Sequence, residues 1–404
     1  MPPTNPEVDL LVVGAGPAGV AAALTAHRAG LSVRVVDRAS FPRDKTCGDG
    51  LTAGALRLLE TLGVAVPGLA TTQPVDTVVL VGPDGSEVTL PLPTDGHHAV
   101  VTTRADLDAA LVGHARAAGV EIVEGSPVEA VSVAADGVDV AHGSAVTRAR
   151  FLVAADGHYS TVRRLVAPDD RADLGSWHAF RQYFRGVHDP RLWVLFEPDL
   201  LPGYAWVFPL PDGRANVGFG VLRDAGTSGK ALAATWRDLL DRPSLRAALG
   251  PDAEPEDRHR AWPIPATFDA RRLSAGPVLF VGDAAGVVDP MTGEGIAQAL
   301  ETGILAGRSV VSGGPAAAVA ARYRGDVVRD LGRDLRFAGV LQRVLRSPAR
   351  TKAALALIGL SPWTRRNFAR WMFEDYPRAL LLTPDRWRAG AFTPPGAYRP
   401  GASR

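Results

Sequence analysis

Val8-Asp9-Leu10-Leu11-Val12-Val13-Gly14-Ala15-Gly16-Pro17-Ala18-Gly19 is the stretch of sequence that decides the fold of this chain. Its first half is the mostly apolar run that is typical of a buried parallel strand. It leads directly into Gly14-x-Gly16-x-x-Gly19, and a helical pattern follows from Ala18 to about Ala29, before a stop at Gly30. A second strand, Val33–Val36, then ends at Asp37, 18 residues after Gly19.

Each glycine of this stretch meets a separate need of a bound dinucleotide. Gly14 permits the tight turn, Gly16 lets the backbone approach a diphosphate, and Gly19 lets the helix pack closely on the strand. The diphosphate then lies at the positive end of the helix, whose first turn holds Pro17 and Ala18. The distance from Gly19 to Asp37 is close to that expected for the acidic residue that binds a ribose. Arg38, the next residue, is a further candidate for cofactor binding. The order of strand, glycines, helix, strand and acid predicts a Rossmann-type unit.

A second segment far downstream complements the first. The predicted strand Val278–Val281 delivers Gly282-Asp283 to the carboxyl edge of the sheet, where Asp283 can accept hydrogen bonds from ribityl hydroxyls. The following loop holds Gly286 and reaches Gly293-Glu294-Gly295-Ile296, where a helix is expected over 294–309. Its first amides would face the flavin and stabilise the negative charge of the reduced ring. The two segments together predict FAD, and the alternative for the second is a plain glycine-rich turn.

Further candidate residues carry less specific signals. Arg104 opens a predicted helix and is either a flavin or diphosphate contact or a solvated charge. Asp156-Gly157 ends another apolar strand, where it contacts the nucleotide loop or an NADPH, or simply makes a turn. Cys47-Gly48 lies in the polar loop Phe41–Leu51, which we expect near the flavin. Cys47 is either a small core residue or a functional thiol, and a thiolate role would require a lowered pKa.

An aromatic stripe marks a candidate substrate wall. Tyr204, Trp206 and Phe208 share one face of a strand by its period of two. The usual interpretation of such a stripe is a sheet core. Pro209 and the return strand with Gly218-x-Gly220 favour a pocket wall here, because glycines let a ligand approach closely.

Composition excludes several classes of function. The formal net charge of the 404 residues is +1, so no global field recruits nucleic acid. A single cysteine excludes a disulfide framework and a four-cysteine metal or iron–sulfur site within the chain, and no metal site is predicted. Residues 1–7 lack a basic head and an apolar core, so no signal peptide is expected and a cytoplasmic location is predicted.

The order of the predicted strands and helices indicates an α/β protein, α+β overall, in three parts. A discontinuous Rossmann-type FAD-binding domain comprises residues 1–74, 99–165 and 270–312. An inserted antiparallel-sheet substrate domain comprises 75–98 and 166–269, with a helix over 229–249. A helical C-terminal region follows over 313–404, with an extended tail from Pro384.

The motifs together resemble those of the geranylgeranyl reductase family of FAD-dependent oxidoreductases, within the hydroxylase-like flavoproteins. The narrower matches are the loop Phe41–Leu51, the pattern Tyr204-x-Trp206-x-Phe208-Pro209 with Gly218-x-Gly220, and Asp289–Ile296. The resemblance spans about residues 1–310. It implies an enzyme that saturates C=C bonds of an isoprenoid chain, such as a geranylgeranyl lipid or, since the cysteine loop is similar to actinobacterial menaquinone reductases, a menaquinone tail. Cys47 is then the candidate catalytic residue and the aromatic stripe binds the apolar chain.

Two other functions remain open at this level. One is a flavin monooxygenase, a hydroxylase or halogenase, although the halogenase pattern Trp-x-Trp-x-Ile-Pro differs at Tyr204 and Phe208. The other is a non-catalytic flavin carrier that passes electrons to a quinone.

The electron donor and the membrane are the remaining expected partners. No second GxGxxG is present, so the donor, NADPH or a reduced carrier, is not readable from the sequence. A prenyl substrate implies a peripheral encounter with the inner face of a membrane. The stretch Arg350–Trp371, which mixes apolar, tryptophan and arginine residues, is either an interfacial helix or an ordinary packed one.

Overall fold

The computed structural model describes residues 7–134, 136–167, 175–223 and 228–399. The start of the predicted FAD-binding domain (1–6) and the end of the predicted tail (400–404) lie outside the described residues. So do 168–174 and 224–227 of the predicted substrate domain.

Nineteen strands are described: β1 (Val8–Val13), β2 (Val33–Val36), β3 (Gly50–Thr52), β4 (Gln73–Pro74), β5 (Thr77–Val81), β6 (Glu87–Pro91), β7 (Ala99–Val101), β8 (Glu121–Val123), β9 (Val128–Ala134), β10 (Gly137–His142), β11 (Ala145–Ala154), β12 (Trp177–Arg185), β13 (Leu192–Leu195), β14 (Tyr204–Leu210), β15 (Arg214–Leu222), β16 (Glu254–Pro255), β17 (Arg260–Ile264), β18 (Ser274–Ala275) and β19 (Val278–Phe280).

Eleven α-helices are described: α1 (Pro17–Arg28), α2 (Ala53–Thr61), α3 (Arg104–Ala117), α4 (Thr161–Val166), α5 (Gly229–Asp241), α6 (Pro243–Leu249), α7 (Ile296–Val311), α8 (Ala316–Asp330), α9 (Gly332–Leu345), α10 (Pro348–Gly359) and α11 (Pro362–Met372). Among the described residues, none of these helices combines the length and apolarity needed to cross a membrane.

The first sheet is the Rossmann-type sheet that the opening stretch predicts. Its path is β18-β19-β11-β1-β2-β8, and β1 pairs in parallel with both β11 and β2. β9 and β10 extend it through antiparallel pairing to β11. The parallel strands place their carboxyl ends at one edge, which is where ligands bind in such sheets.

Helices α1 and α7 pack against each other at unusually close range. A Cβ atom at Gly303 of α7 would lie 2.2 Å from the carbonyl oxygen of Ala18, and one at Gly307 would lie 2.8 Å from that of Ala22. Only glycine fits at such separations. The far-downstream helix is thereby fixed beside the nucleotide loop.

The second sheet has the path β16-β12-β15-β14-β13-β5-β6, with β17 beside β12. It is antiparallel except that β13 pairs in parallel with β5, so the predicted antiparallel sheet contains one parallel pair. This parallel pair joins two distant segments of the chain, residues 77–81 and 192–195. The division into domains stays a prediction, although residues 77–91 and 177–264 share this sheet.

Helices cover both faces of the second sheet. One face packs on α5 and α6 through Phe219, Trp236 and Leu245. The other packs on α10 and α11 through Leu80, Leu355 and Phe373. Alternate residues of β14 divide between these faces, as the period of two requires.

Three local expectations need correction. The helix predicted over 229–249 is two helices, because Pro243 begins a new one. The helix predicted over 294–309 begins at Ile296, after its N-cap Gly295. The tail is not uniformly extended, since a 3₁₀ turn spans Pro384–Arg386 and the indole of Trp387 donates a hydrogen bond to the Leu380 carbonyl at 2.7 Å.

Candidate active site

A cavity of about 540 Å³, the nucleotide cavity, lies at the carboxyl ends of β1, β2, β11 and β19. Predicted cofactor-binding residues that line it are Gly14, Gly16, Pro17, Ala18, Asp37, Arg38, Arg104, Gly282 and Asp283. Both sequence segments therefore meet in one cavity, although more than 260 residues separate Gly19 from Gly282.

The glycine positions test whether the nucleotide cavity fits a dinucleotide. A Cβ at Gly19 would lie 1.8 Å from the Gly14 carbonyl oxygen, so Gly19 supports the packing behind the cavity. At Gly16 the nearest atom to an added Cβ is Nη2 of Arg43, at 3.5 Å, so this backbone faces open space and a guanidinium. An open backbone at a helix N-terminus is what a diphosphate requires. The residues present fit FAD.

Asp37 also holds the glycine loop in place. Its Oδ2 accepts a hydrogen bond from the Ala15 amide at 2.7 Å, and its Oδ1 accepts one from the Ala39 amide at 2.8 Å. Each oxygen retains a lone pair that can accept from a ribose hydroxyl. Asp37 therefore links the loop shape to the nucleotide position.

The nucleotide cavity continues into a second cavity of about 170 Å³, the central cavity. The two share Pro17, Lys45, Thr46, Arg104, Trp262, Asp283 and Ala299. At this passage Lys45 Nζ lies 2.9 Å from Oδ2 of Asp283. Although burial opposes ionisation, the Lys45 ammonium holds the pKa of Asp283 below its ordinary value. An ionised Asp283 is a ready acceptor for polyol hydroxyls.

Arg104 is a buried residue rather than a solvated charge. Its guanidinium makes two hydrogen bonds to Asp108, at 2.9 and 2.8 Å, while lining both the nucleotide and central cavities. Its backbone amide donates to Oδ1 of Asp49 at 3.2 Å. The guanidinium thus presents a fixed positive charge where the two cavities join.

The loop with Cys47 and Gly48 lines the central cavity and is anchored by Asn216 of β15. The Asn216 amide group donates to the Cys47 carbonyl and to Asp49 Oδ2, both at 2.8 Å, and its oxygen accepts from the Trp206 indole at 3.0 Å. Burial raises the pKa of the Cys47 thiol. The condition for a thiolate role is therefore not met, and Cys47 faces the cavity as a neutral thiol.

The aromatic stripe forms a cavity wall. Tyr204, Trp206 and Phe208 all line the central cavity, whereas Ala205 and Val207 point into the core on the opposite face of the sheet. The Tyr204 hydroxyl donates to the Thr292 carbonyl, which joins β14 to the loop before α7.

The three predicted substrate-binding residues next to the aromatic stripe, Gly218, Gly220 and Pro209, differ in whether they line the central cavity. Gly220 lines the central cavity. A Cβ at Gly218 would lie 2.4 Å from the Trp206 ring, so Gly218 makes room for that indole. Pro209 is buried within β14 and lines neither this cavity nor the nucleotide cavity.

The loop before α7 completes the central cavity with Gly293, Glu294, Gly295 and Ile296. Gly286 is not among its lining residues and borders a smaller neighbouring cavity with His158. Asp156 and Gly157 line the nucleotide cavity, and Oδ2 of Asp156 accepts from the Val162 amide at 3.0 Å. Asp156 thus binds the first turn of α4, whose N-cap is Ser160, while lining the nucleotide cavity.

A third cavity of about 240 Å³, the apolar cavity, adjoins the central cavity and was missed by sequence reasoning. The two share Gly50, Tyr204, Phe208, Thr292 and Glu294. The walls come from the second sheet and from the inner faces of the C-terminal helices: Leu80, Leu192, Val194, Leu341, Val344, Leu345, Ala354, Leu355, Ile358, Phe368, Trp371 and Met372. The apolar residues that recur along 341–372 were the available sequence signal for this cavity. They did not show that these helices face the second sheet.

Comparisons with known proteins agree with this geometry. Residues 7–308 match a family described as the FAD binding domain. The menaquinone reductase of Mycolicibacterium smegmatis is 35% identical over 327 residues, 77% of this chain and 78% of that protein. Digeranylgeranylglycerophospholipid reductase 1 of Methanopyrus kandleri is 32% identical over 318 residues, 76% of this chain and 80% of that protein.

A solved structure shows the same fold. The geranylgeranyl bacteriochlorophyll reductase-like protein of Thermoplasma acidophilum superposes with a TM-score of 0.76 over 94% of this chain and 98% of that one, at 21% identity. Fold and cavities together define an FAD-dependent oxidoreductase. The chain belongs to the FAD-binding family and, within it, to the geranylgeranyl reductases that these relatives represent.

Proposed function

We propose that this enzyme saturates C=C bonds of an isoprenoid chain, with hydride supplied by reduced FAD. The observation that carries the proposal is the junction of the apolar cavity with the central cavity at Tyr204 and Phe208. An isoprenoid chain has no polar group to orient it, so it needs a long apolar cavity that ends at the flavin. The apolar cavity provides such walls from both the second sheet and α9–α11.

The protein's own residues position the chain and exclude water. The aromatic rings of Tyr204 and Phe208 line both cavities and hold the double bond from one side. A dry site favours hydride transfer to an isolated alkene, because water would compete for the reacting groups. Cys47, facing the central cavity as a neutral thiol, is proposed to shape the reacting site.

A menaquinone tail is the proposed substrate, and a geranylgeranyl lipid is the second candidate. A menaquinone reductase is 35% identical to this chain, and a digeranylgeranylglycerophospholipid reductase is 32% identical to it. The apolar cavity suits either tail. NADPH or a reduced carrier protein remains the proposed electron donor.

We also propose that the outer surface of α9–α11 contacts a membrane peripherally. Residues 335–373 contain no acidic residue, and apart from the buried Arg370, which pairs with Asp375, they contain seven basic ones: Arg336, Arg343, Arg346, Arg350, Lys352, Arg365 and Arg366. Leu357, Leu360 and Trp363 are more than 60% exposed. Basic and exposed apolar side chains together match an anionic lipid surface. The inner faces of the same helices line the apolar cavity, so a chain can pass from bilayer to site.

Anaerobic incubation of the FAD-loaded, reduced enzyme with long-chain menaquinone, followed by mass spectrometry, tests the function. We expect two added hydrogen atoms for each saturated bond. A product formed only with oxygen would instead establish a monooxygenase. Rapid flavin oxidation with an unchanged tail would establish an electron carrier.

Sedimentation with phosphatidylglycerol vesicles tests the membrane contact. Leu360→Ser combined with Trp363→Ser is expected to weaken binding, while phosphatidylcholine vesicles bind poorly. Val146→Ser is the matched control, because Val146 is 61% exposed on β11, outside α9–α11. Equal binding by the double variant would contradict the contact.

A further inference from the structure

Glu294 occupies the junction of the central and apolar cavities. It lies in the loop between Asp289 and α7 and lines both cavities, together with Tyr204 and Phe208. A Cβ at the adjacent Gly295 would lie 3.7 Å from Oδ1 of Asp283, so this loop also lies beside the strand end that lines the nucleotide cavity. A group on Glu294 can therefore reach a chain that enters from the apolar cavity.

The charges around Glu294 do not balance. Arg378 pairs with Asp289 at 2.6 Å and with Glu374 at 3.4 Å. The other cations that line the central cavity are paired with other carboxyls: Lys45 with Asp283, Arg104 with Asp108 and Arg181 with Asp44. Three carboxyls, Asp289, Glu294 and Glu374, thus share one guanidinium. Burial and repulsion among these carboxyls disfavour full ionisation, so one carboxyl retains a proton.

The hydrogen bonds indicate which carboxyl retains it. Glu374 accepts from the Thr52 hydroxyl at 2.8 Å and from the Gln298 amide at 2.9 Å, in addition to Arg378. Such donors favour a carboxylate. Glu374 lines neither cavity. Oε1 of Glu294 accepts from the Ile296 amide at 2.8 Å while the side chain faces the cavities.

Removal from water, with repulsion from Glu374 and Asp289, raises the pKa of Glu294 to about 8. Burial raises the pKa of Glu374 as well, but Arg378 and the Thr52 and Gln298 donors oppose that rise. The acid form of Glu294 therefore persists at neutral pH. Arg378 and the Tyr204 hydroxyl, which is bonded to the Thr292 carbonyl, face Glu294 together with the other ionisable groups of the central cavity. These groups are Lys45, Cys47, Asp49, Arg104, Arg181 and Asp283.

We propose that Glu294 is the catalytic acid that completes reduction of the double bond, a role that rests on the proposed function. Hydride from the reduced cofactor forms a C–H bond at one alkene carbon. The Glu294 O–H bond breaks, and its proton forms the C–H bond at the other carbon as the π bond is lost. Glu294 is left as a carboxylate and regains a proton from solvent after product release. Two hydrogens and two electrons are thus accounted for.

Rapid mixing of the anaerobically reduced, FAD-loaded enzyme with long-chain menaquinone, across a pH series, tests this role. Positioned acids contribute roughly 10²–10⁴-fold. Glu294→Gln, which mimics the neutral acid in shape, is expected to slow flavin oxidation by about that factor and to remove the fall in rate above about pH 8. Product analysis on the same samples establishes that oxidation accompanies tail reduction.

Glu374→Gln is the matched variant, since it removes a neighbouring charge without removing the acid. We expect it to keep the rate within several-fold and to move the fall in rate to lower pH, because the pKa of Glu294 drops when the repulsion is gone. A merely structural role for Glu294 would not produce this shift.

An infrared measurement gives a readout independent of turnover. In the difference spectrum between the FAD-loaded wild type and Glu294→Gln at neutral pH, the wild type should show one additional neutral-carboxyl carbonyl band, which titrates near pH 8. Glu301, whose pKa burial raises to about 7, contributes a band to both proteins and cancels in the difference. Absence of the additional band would overturn the proposal. So would an unchanged rate and pH profile in Glu294→Gln. If wild type instead leaves the tail unreduced, the proposed function fails and the acid role fails with it, whatever the band shows.

Discussion

The nucleotide cavity and the apolar cavity are built in opposite ways. The nucleotide cavity is made by loops at the carboxyl ends of parallel strands, and its key residues form two short segments. The apolar cavity is made by side chains from the second sheet and three C-terminal helices, with Leu80 and Met372 in the same wall. Backbone geometry defines the first, whereas side-chain packing defines the second. Local motifs therefore identify the cofactor, and tertiary packing selects the substrate.

The nucleotide cavity should fail most severely when its backbone is altered. Gly19→Ala places a Cβ 1.8 Å from the Gly14 carbonyl oxygen, so α1 must move away from β1. We expect loss of bound FAD and destabilisation by more than about 3 kcal/mol, measured by flavin absorbance and chemical unfolding. Gly113→Ala is the control, because nothing lies within 4 Å of its added Cβ in α3. If Gly19→Ala retains FAD with wild-type stability, the close-packing account is wrong.

The buried carboxyl of Glu294, at the junction of the central and apolar cavities, should make the free energy of unfolding depend on pH. The pKa of Glu294 is about 8 in the folded protein against an ordinary value of 4.5, so between these values the folded state holds more protons than the unfolded state. Stability should therefore fall as pH rises from 4.5 to about 8. Glu294→Gln removes this loss and should be up to roughly 5 kcal/mol more stable than wild type at high pH.

The same comparison at low pH supplies the control for that measurement. Near pH 4 the wild-type carboxyl is largely neutral in both states, so thermal unfolding of the two proteins should coincide there. A constant difference at every pH would show that the effect does not come from titration of Glu294.

A bulky side chain placed in the apolar cavity should reduce activity without loss of bound FAD. Ala354 lines it from α10, and Ala354→Phe fills part of its volume. We expect kcat/KM for tail reduction to fall about tenfold or more, with unchanged FAD content. Ala353→Phe, at the exposed neighbouring position, should leave both unchanged. Equal losses in both variants would indicate damage to α10 rather than a blocked cavity.

Cys47 should give the smallest effect of these changes. Burial raises the pKa of its thiol, so little thiolate forms at neutral pH. We expect slow alkylation of the folded protein by iodoacetamide, and Cys47→Ala should keep FAD while reducing turnover only several-fold. Fast alkylation at neutral pH would contradict the neutral-thiol interpretation.

The sequence predicted the residues of the nucleotide cavity better than those of the apolar cavity, for a physical reason. Gly14, Gly16 and Asp37 act through backbone shape and fixed spacing, which are visible in one short stretch. Likewise, the period of two placed Tyr204, Trp206 and Phe208 on one face, and the structure shows that this face lines a cavity.

Other features depend on contacts between distant segments and left no local pattern. The sequence places Glu294 only at a helix start and within the Asp289–Ile296 motif, because its raised pKa depends on burial and on repulsion from Glu374, which lies 80 residues away. Gly286 and Pro209 show the converse. They belong to recognisable motifs but do not line the central or nucleotide cavities, and their binding roles stay predictions.

An anaerobic crystal structure of the FAD-loaded enzyme with long-chain menaquinone tests the central claim most directly. The account expects the isoprenoid tail to lie in the apolar cavity and to pass over the Tyr204 and Phe208 rings, with a double bond beside the flavin and the Glu294 carboxyl. A complex with the quinone ring at the flavin and the tail outside the apolar cavity would contradict it.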